Sequence, residues 1–487
     1  MKRFSAILLL CAMLASCAVP LASCGQSGKT SNITDDTSAP VSESESESET
    51  SGYRESTPVD YGGRTITIWY NQGDGFEPNQ DVAATELNGE TLNDAVFNRN
   101  QRIQDKYNIV LETSYPNDVG GSVKKSVNAA DGAVDMVLDH PRSVFPMGLE
   151  GFYMNLNEIP NVNYEEPWWD DTIRSDTEVN GVNFFAISSM NIHAYGATPV
   201  TVFSKKLAAD YVTDDLYEVM ESGKWTMDYL MNIAKTVITD LDGDGQYTLA
   251  DRYGYLANNF SVDCLIGGTG YKFVSVGDDG RLEANLVSEK LYNIYDKIRR
   301  LTLIDNGAYL SDRYLGKHAD EEIEVAFENN QALFWVTNLK GVQRRRNMPG
   351  DFGVLPMPKL DESQDKYYAH LQLGIGDSIA VPVTCQDADM IGRILEDFAY
   401  FSHDTVIPAF YEVTVVGKSM RDEGSAKTLD VLLNNYYYDI GGLQGIVSEF
   451  RTPVTSDKEE IVSWLESRSK SFSKAIDKYN TYFFEER

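Results

Sequence analysis

The pattern of apolar and polar residues predicts alternating strands and helices in the first part of the folded chain. Thr65 to Tyr70 is rich in β-branched and aromatic residues, as is typical of a buried strand. From Thr91 to Tyr107 apolar residues recur at helical spacing, and a strand is predicted at 109–111. A helix from Ser122 to Ala130 and a strand from Ala133 to Leu138 follow. This order is typical of a parallel sheet covered by helices.

A second series of elements follows. Strands are predicted at 184–187 and 200–203, on either side of a Gly- and Pro-containing crossing at 195–199, and a helix begins after Thr226, whose hydroxyl can cap it. The later predicted elements are a helix at 323–329, strands at 332–336, 352–356 and 378–382, and helices at 389–401 and 459–479. We therefore predict an α/β protein with two lobes joined by hinge crossings, each lobe a mostly parallel sheet flanked by helices. Lobe 1 takes residues 58–193 and 376–412, and lobe 2 takes 194–375 and 413–487.

The charge of the chain limits its partners. It has 487 residues, with 42 Lys and Arg against 74 Asp and Glu, and a net charge of −32. This charge argues against nucleic acid and against electrostatic attachment to anionic lipid. It suits a soluble extracellular protein or a neutral ligand, and acidity that serves only solubility is the alternative for most of these groups.

The N-terminal segment carries targeting signals. Lys2 and Arg3 precede an apolar run from Phe4 to Met13 that is too short to span a bilayer. Leu-Ala-Ser-Cys then occurs twice, ending at Cys17 and at Cys24, and resembles the lipobox of bacterial lipoproteins, whose cysteine is lipidated after cleavage. We favour Cys24 because polar residues follow it, whereas an apolar stretch follows Cys17. An ordinary secretory signal with incidental cysteines is the alternative.

Residues 1–23 are thus predicted to be a signal peptide and residues 24–57 a disordered tether. The tether contains alternating Ser and Glu from Ser42 to Glu49 and has almost nothing to bury, so it cannot offset its ordering entropy. The lipobox implies a diacylglycerol, with palmitate as a typical chain, and two chains are enough for stable anchoring. We expect the protein on the extracellular face of the cell membrane.

Cysteine and histidine give little support for catalysis or a transition-metal site. Beyond the signal only Cys264 and Cys385 remain, and they are either a pair or two buried thiols. The histidines show no metal-binding spacing, and they are His140, His193, His318, His370 and His403.

Several segments carry a resemblance to a known family. Asp351 to Lys359, followed by Asp361, Glu362, Gln364, Tyr367 and Tyr368, is similar to extracellular solute-binding lipoproteins of carbohydrate ABC importers (family 1). So are Phe327 to Phe334 and Arg421 to Glu423 before Leu429. The pieces run in order over most of residues 60 to 487. The resemblance implies a two-lobed periplasmic-binding-protein-like fold of type II that closes on a sugar at the hinge.

An acidic loop from Asp240 to Asp251 has the pattern of a calcium-binding loop. Asp240, Asp242 and Asp244 stand at loop positions 1, 3 and 5, Gly245 at position 6 and Asp251 at position 12, where EF-hands carry glutamate. The backbone carbonyl of Gln246 would complete the ligand set. We expect structural Ca²⁺ here, and a metal-free acidic turn is the alternative.

Candidate ligand-binding residues follow predicted strands, because ligands of open α/β sheets bind beyond the carboxyl ends of strands. Sugar sites combine aromatic rings with polar side chains. The residues chosen on these grounds are Trp69, Asn71, Asp74, Asp139, His140, Arg142, Tyr195, Trp335, Thr337 and Asn338. A core position is the alternative for each tryptophan.

We therefore expect a monomeric binding protein, not an enzyme, that captures a sugar or oligosaccharide and delivers it to the membrane permease of an ABC importer. A cell-surface glycoside hydrolase is the first alternative, but no motif presents its pair of catalytic carboxylates. A calcium-dependent carbohydrate-binding or adhesion protein is the second, and it would be expected to carry tandem loops.

Overall fold

The computed structural model of the protein describes residues 56–72, 79–317, 319–371, 376–413, 422–444, 451–456 and 460–486. Its strands are β1 (Arg64–Tyr70), β2 (Ile109–Ser114), β3 (Met136–Asp139), β4 (Pro199–Ser204), β5 (Tyr253–Ala257), β6 (Val274–Val276), β7 (Leu282–Ala284), β8 (Ala308–Leu310), β9 (Ala332–Asn338), β10 (Phe352–Leu355), β11 (Ala369–His370), β12 (Ser378–Ala380) and β13 (Tyr436–Tyr437). The predicted signal peptide, Cys17, Cys24 and Asp74 lie outside the described residues.

The helices complete the element order. They are α1 (Thr91–Tyr107), α2 (Val119–Ala129), α3 (Pro141–Leu149), α4 (Asp171–Thr177), α5 (Ile192–Gly196), α6 (Lys205–Tyr211), α7 (Leu216–Glu221), α8 (Met227–Val237), α9 (Asn259–Gly268), α10 (Glu289–Leu301), α11 (Ser311–Tyr314), α12 (Asp320–Glu328), α13 (Leu339–Arg344), α14 (Ala388–Phe401), α15 (Ile407–Tyr411), α16 (Glu423–Leu433), α17 (Thr452–Thr455) and α18 (Ile461–Phe484). Among the described residues, no helix combines the length and apolar character needed to cross a membrane.

The first sheet has the strand order β12–β3–β1–β2. β1 pairs in parallel with both β2 and β3, which confirms the predicted strand–helix–strand–helix–strand unit. α1 connects β1 to β2 and buries Leu92, Val96, Ile103 and Tyr107, the stripe that the helical spacing predicts. β12 comes from a distant part of the chain and joins the sheet antiparallel to β3.

The second sheet has the strand order β10–β4–β9–β5–β8 and is mixed. β5 pairs in parallel with β8 and β9, whereas β4 runs antiparallel to β9 and β10. The expectation of a mostly parallel sheet is therefore wrong here. The reason is the crossing: it delivers Pro199 opposite Asn338, the last residue of β9, so β4 enters the sheet from that end.

Two further predictions need correction. Phe184 to Ile187 is buried but is not a strand of either sheet, because it forms only the isolated bridge Ala186–Ile379 while its rings pack into the core. The predicted crossing begins with a helix, α5, that includes Tyr195. The helix after Thr226 is confirmed, with the threonine hydroxyl accepting a hydrogen bond from the Tyr229 amide at 3.1 Å.

The strands of the first sheet all fall in the segments assigned to lobe 1, and those of the second sheet in 194–375. The lobe boundaries themselves stay a prediction. Cys264 and Cys385 are both free thiols in this structure.

Candidate functional site

Polar side chains gather where β1 and β3 end and β12 begins. Asn71 follows β1, Asp139 ends β3 and is followed by His140, and Ser378 of β12 stands opposite Asp139. Because β12 runs antiparallel, the residue before it, Asp377, reaches the same edge. We call Asn71, Asp139, His140 and Asp377 the first-sheet edge.

Asp139 is held in place by its neighbours. Its Oδ1 accepts hydrogen bonds from Asn71 Nδ2 at 3.2 Å and from the His140 amide at 2.8 Å. Its backbone carbonyl accepts one from the Ser378 hydroxyl at 2.9 Å. The side chain is only 3% exposed. These bonds fix the orientation of the carboxylate, as a preorganised binding group would require.

His140 and Asp377 form an ion pair at the same edge. His140 Nδ1 lies 3.1 Å from Asp377 Oδ1 and 3.3 Å from the carbonyl oxygen of Gly376. Burial raises the pKa of Asp377 to about 6, although His140 acts in the opposite direction. Burial lowers the pKa of His140, but the hydrogen bond and charge of Asp377 outweigh it, so the net shift is upward. Asp377 is therefore harder to ionise, and His140 easier to protonate, than the same groups in water.

A second carboxylate lies deeper, behind this pair. Asp81 is fully buried, and its Oδ1 accepts a hydrogen bond from the His193 amide at 2.8 Å, while its Oδ2 has no hydrogen-bond partner among the described residues. Burial and the nearby charge of Asp377 raise its pKa. Asn79 connects the two carboxylates: its Nδ2 donates to Asp377 and its Oδ1 accepts from the Asp81 amide at 2.8 Å.

The second-sheet part of the chain contributes a cation to this region. Lys340 of α13 places Nζ 2.5 Å from Nδ1 of His193, which belongs to α5. Its positive charge acts on both Asp81 and Asp377 and favours their ionised forms. The polar region thus joins residues that follow strands of the first sheet to a helix that follows β9.

The other predicted residues near the first sheet have different surroundings. Trp69 is partly buried and packs against the main hydrophobic core. Arg142 is exposed on α3. Tyr195 of α5 is half-buried, and its ring lies 5.7 Å from that of Tyr436. The structure therefore brings Asn71, Asp139 and His140 into contact. Among the described residues it shows no hydrogen bond from the side chains of Trp69, Arg142 or Tyr195 to that group.

The candidates at the end of β9 take part in internal contacts. Trp335 is 4% exposed, and its ring lies 5.5 Å from Phe327 and 4.4 Å from the Arg345 guanidinium. Thr337 is buried. Asn338 caps α13, because its Oδ1 accepts a hydrogen bond from the Gly341 amide at 2.8 Å. A role in ligand contact stays a prediction for all three.

One aromatic residue at the first-sheet edge was missed. Tyr115 directly follows β2, next to the register pair Trp69–Ser114, and is 51% exposed. Its ring lies 5.6 Å from Tyr70, so one side is supported while the rest faces solvent. The strand was predicted to end at Leu111, and carrying the period-two pattern to Ser114 would have revealed it.

The acidic loop has the geometry of a metal-binding turn. Ligand oxygens of Asp240, Asp242 and Asp244 all lie within 4.8 Å of one another. Gly245 has a φ of 76°, as the sharp turn requires. Asp251 is buried and accepts hydrogen bonds from the Leu241 and Thr248 amides at 2.9 and 2.8 Å, so its oxygens already hold the loop closed. Three carboxylates therefore fit a hard cation, and Asp251 stands outside that group.

Comparisons with known proteins define the fold. No protein-family model and no curated protein sequence matches the chain. The solved structure of a maltose/maltodextrin-binding domain from Bdellovibrio bacteriovorus bound to maltotriose is similar, with a TM-score of 0.54 and 14% identity over 85% of this chain and 100% of the other. The galacto-N-biose/lacto-N-biose I-binding protein of the ABC transporter from Bifidobacterium longum, in complex with lacto-N-biose, has a TM-score of 0.56 and 13% identity over 86% and 98%.

A third structure agrees. UgpB from Mycobacterium tuberculosis in complex with glycerophosphocholine has a TM-score of 0.57 and 15% identity over 86% of this chain and 100% of that one. At such identities the likeness concerns the fold. The chain has the two-lobed, periplasmic-binding-protein-like α/β fold, as its sequence predicts.

Proposed function

We propose that this protein binds a sugar or oligosaccharide outside the cytoplasm and delivers it, as a monomer, to the permease of an ABC importer. The fold is that of proteins solved with maltotriose, lacto-N-biose and glycerophosphocholine. The observation that carries the proposal is the first-sheet edge, whose oriented polar groups stand at the same end of the sheet as the exposed ring of Tyr115, which follows β2. Sugars are bound by such combinations of hydrogen-bonding groups and aromatic faces.

Calorimetry tests the proposal. The full chain, solubilised in detergent, is titrated with a panel of neutral mono- and oligosaccharides and with glycerophosphocholine. We expect at least one sugar to bind, and Asp139→Asn to weaken it by about tenfold or more, because a hydrogen bond to a charged group is lost. Asp477→Asn, at an exposed position of α18, is the matched control and should leave binding unchanged. A panel without any binding sugar would contradict the proposal.

We further propose binding without turnover. Incubation of the panel with the protein should return each sugar unchanged. Hydrolysis of a glycosidic bond that is abolished by a single carboxylate substitution would instead favour the alternative, a glycoside hydrolase.

We propose that the protein is anchored to the membrane through lipid on Cys24. The support is the sequence alone, in the apolar run and the Leu-Ala-Ser-Cys that precedes this cysteine. Metabolic labelling with an alkyne analogue of palmitate tests it. Cys24→Ser should abolish labelling and release the protein from membranes, whereas Cys17→Ser should not; the reverse result would place the lipid on Cys17.

We propose that the acidic loop binds one Ca²⁺ with a structural role. Asp240, Asp242 and Asp244 would hold it, and Ca²⁺ would neutralise carboxylates that otherwise repel one another. Ca²⁺ should raise the melting temperature, and Asp242→Asn should remove that rise. Asp278→Asn, in another exposed turn, is the control. An equal rise in both variants would show that Ca²⁺ acts elsewhere.

A further inference from the structure

A cleft on the second-sheet part of the chain has no role in the function proposed above. It is a cavity of about 450 Å³ between α7, the turn that follows it, the segment 359–367 and α16. We call it the lysine cleft, because Lys359, Lys366 and Lys427 line it. None of its lining residues belongs to the first-sheet edge. Its volume is in the range of small-molecule sites, about 300–1,000 Å³.

Lys359 is a buried cation without a carboxylate. It is 5% exposed, and its Nζ donates a hydrogen bond to the Gln364 carbonyl at 3.0 Å and lies 5.7 Å from the Tyr367 ring. No carboxylate lies within ion-pair distance of Nζ among the residues that the structure describes. An ammonium group has three donors, and burying its charge is costly. A buried ammonium group without a carboxylate therefore indicates that an anion from outside the chain can bind there.

The position of this lysine is set by its backbone. Its amide donates to the Trp225 carbonyl at 3.1 Å, and its carbonyl accepts from the Met227 amide at 2.8 Å. Gly223 lines the same cavity with a φ of 75°, and a Cβ at that residue would lie 3.3 Å from Lys359 Nζ. The glycine therefore keeps the ammonium group accessible from the cavity.

The charges around the cleft favour an anion. Lys366 is exposed, and its Nζ lies 5.1 Å from the Tyr368 ring. Lys427 Nζ lies 2.8 Å from Glu221 and 3.9 Å from Glu423, so its charge is already balanced. The carboxylate of Asp365, which also lines the cleft, accepts a hydrogen bond from the Tyr368 hydroxyl at 3.1 Å. Lys359 and Lys366 thus share the cleft with Asp365, whose carboxylate already has a partner, in a chain of net charge −32.

We propose that the lysine cleft is a second ligand site, which binds a small molecule carrying a carboxylate or phosphate group. Lys359 and Lys366 donate hydrogen bonds to the anion, and these charge-assisted bonds are stronger than neutral ones. The side chains of Tyr367 and Val431 line the cavity and contact the body of the ligand. The net negative charge of the whole chain makes such a site unexpected from composition, and Lys359 and Lys366 make it selective for anions.

Three probes of equal ring size test the proposal: glucuronate, glucose 6-phosphate and glucose. Each is titrated into the full chain by calorimetry at low salt. We expect at least one of the two anions, glucuronate or glucose 6-phosphate, to bind in this cleft, according to whether the site prefers a carboxylate or a phosphate group. Glucose should bind there far more weakly. Lys359→Met and Lys366→Glu should each weaken the anion by about tenfold or more. Added salt should weaken it as well.

Controls separate this site from the first-sheet edge. Lys125→Gln, at an exposed position of α2, should leave anion binding unchanged. Lys366→Glu changes an exposed residue and should fold, so it tests anion binding even if Lys359→Met does not fold. Asp139→Asn should weaken a neutral sugar but not the anion. The proposal is overturned if neither anion binds, if both lysine variants bind as well as the native chain, or if Asp139→Asn abolishes anion binding.

Discussion

The carboxyl edge of the first sheet and the carboxyl end of β9 occupy similar places in their sheets but differ in what their side chains contact. At the first-sheet edge, Asp139 and His140 bond to neighbouring polar groups, and Tyr115 is half exposed. At the end of β9, Trp335 is enclosed by Phe327 and Arg345, and Asn338 caps a helix. We therefore expect a ligand at the first-sheet edge, where the exposed ring of Tyr115 remains, rather than at the end of β9.

The difference follows from the elements that continue each strand. β9 passes directly into α13, so its last residues must satisfy the first amides of that helix. β1 passes into a loop, and α3 after β3 begins with Pro141, which has no amide hydrogen to satisfy. Polar groups at the first-sheet edge are thus available to bond to one another.

The largest expected effect is on stability at the end of β9. Trp335→Ala should lower the free energy of unfolding by about 3–5 kcal/mol, because it leaves a cavity in the core. Urea denaturation followed by circular dichroism measures it. A loss of unfolding free energy below about 1 kcal/mol, together with abolished sugar binding, would instead show that Trp335 contacts the ligand. The two regions would then not differ in function.

The next effect is a pH dependence that belongs to the first-sheet edge. Asp377 has a pKa of about 6 in the folded state, above the ordinary 3.8. Between these two pH values the folded state therefore binds more protons than the unfolded state. Its contribution to stability is present below pH 3.8 and is lost as the pH rises through 6, by up to about 3 kcal/mol. The raised pKa of His140 acts in the same direction from pH 6.5 upward.

Asp377→Asn should therefore reduce the slope of unfolding free energy against pH between about 4 and 6, while the raised pKa of Asp81 keeps part of it. Denaturant titrations at several pH values measure the slope. Asp477→Asn, exposed on α18, should run parallel to the native protein. An unchanged slope in Asp377→Asn would show that this carboxylate titrates normally.

A third change should affect affinity far more than stability. Tyr115→Ala should weaken sugar binding by about tenfold, because it removes the exposed ring at the same end of the sheet as the polar groups. The free energy of unfolding should change by less than about 1 kcal/mol, since half of the ring is in solvent. Tyr115→Phe keeps the ring and should bind nearly as well. If Tyr115→Ala bound the sugar as tightly as the native protein, the Tyr115 ring would not be part of the binding site.

The smallest effect is expected at the helix cap. Asn338→Ala should cost about 1 kcal/mol of stability through the lost cap and leave sugar affinity unchanged. Asn338→Asp, which retains an acceptor, should restore the stability. Weaker sugar binding in the alanine variant would give Asn338 the ligand contact that its position at a strand end predicts.

Local pattern accounts for most of the first sheet. β1 pairs with a strand on each side, and its run of β-branched residues is continuous, so its bounds were predicted within one residue. β2 is an edge strand with exposed alternate residues, so its polar end, Glu112 to Ser114, was missed. Phe184 to Ile187 shows the opposite error, since a strand was predicted where there is none. A short apolar run is expected both in a buried loop and in a strand, so the pattern alone does not distinguish them.

The candidate site could be predicted only in part. Asn71, Asp139 and His140 follow strands that pair in parallel, so a topological rule places them at one edge. Asp377 was not found, because it lies more than 200 positions away along the chain and reaches the edge through an antiparallel strand. Lys340 and Lys359 were missed for the same reason: nothing local distinguishes them from lysines on the surface.

The sequence by itself determined the fold class, the parallel unit of the first sheet and the acidic loop, because these depend on periodicity and on residues close together along the chain. Tertiary structure alone decided that β4 runs antiparallel to β9, that Asp377 meets His140, and that Lys359 is buried without a carboxylate. Burial and charge pairing depend on which distant segments meet, and a residue's own neighbours along the chain do not encode that meeting.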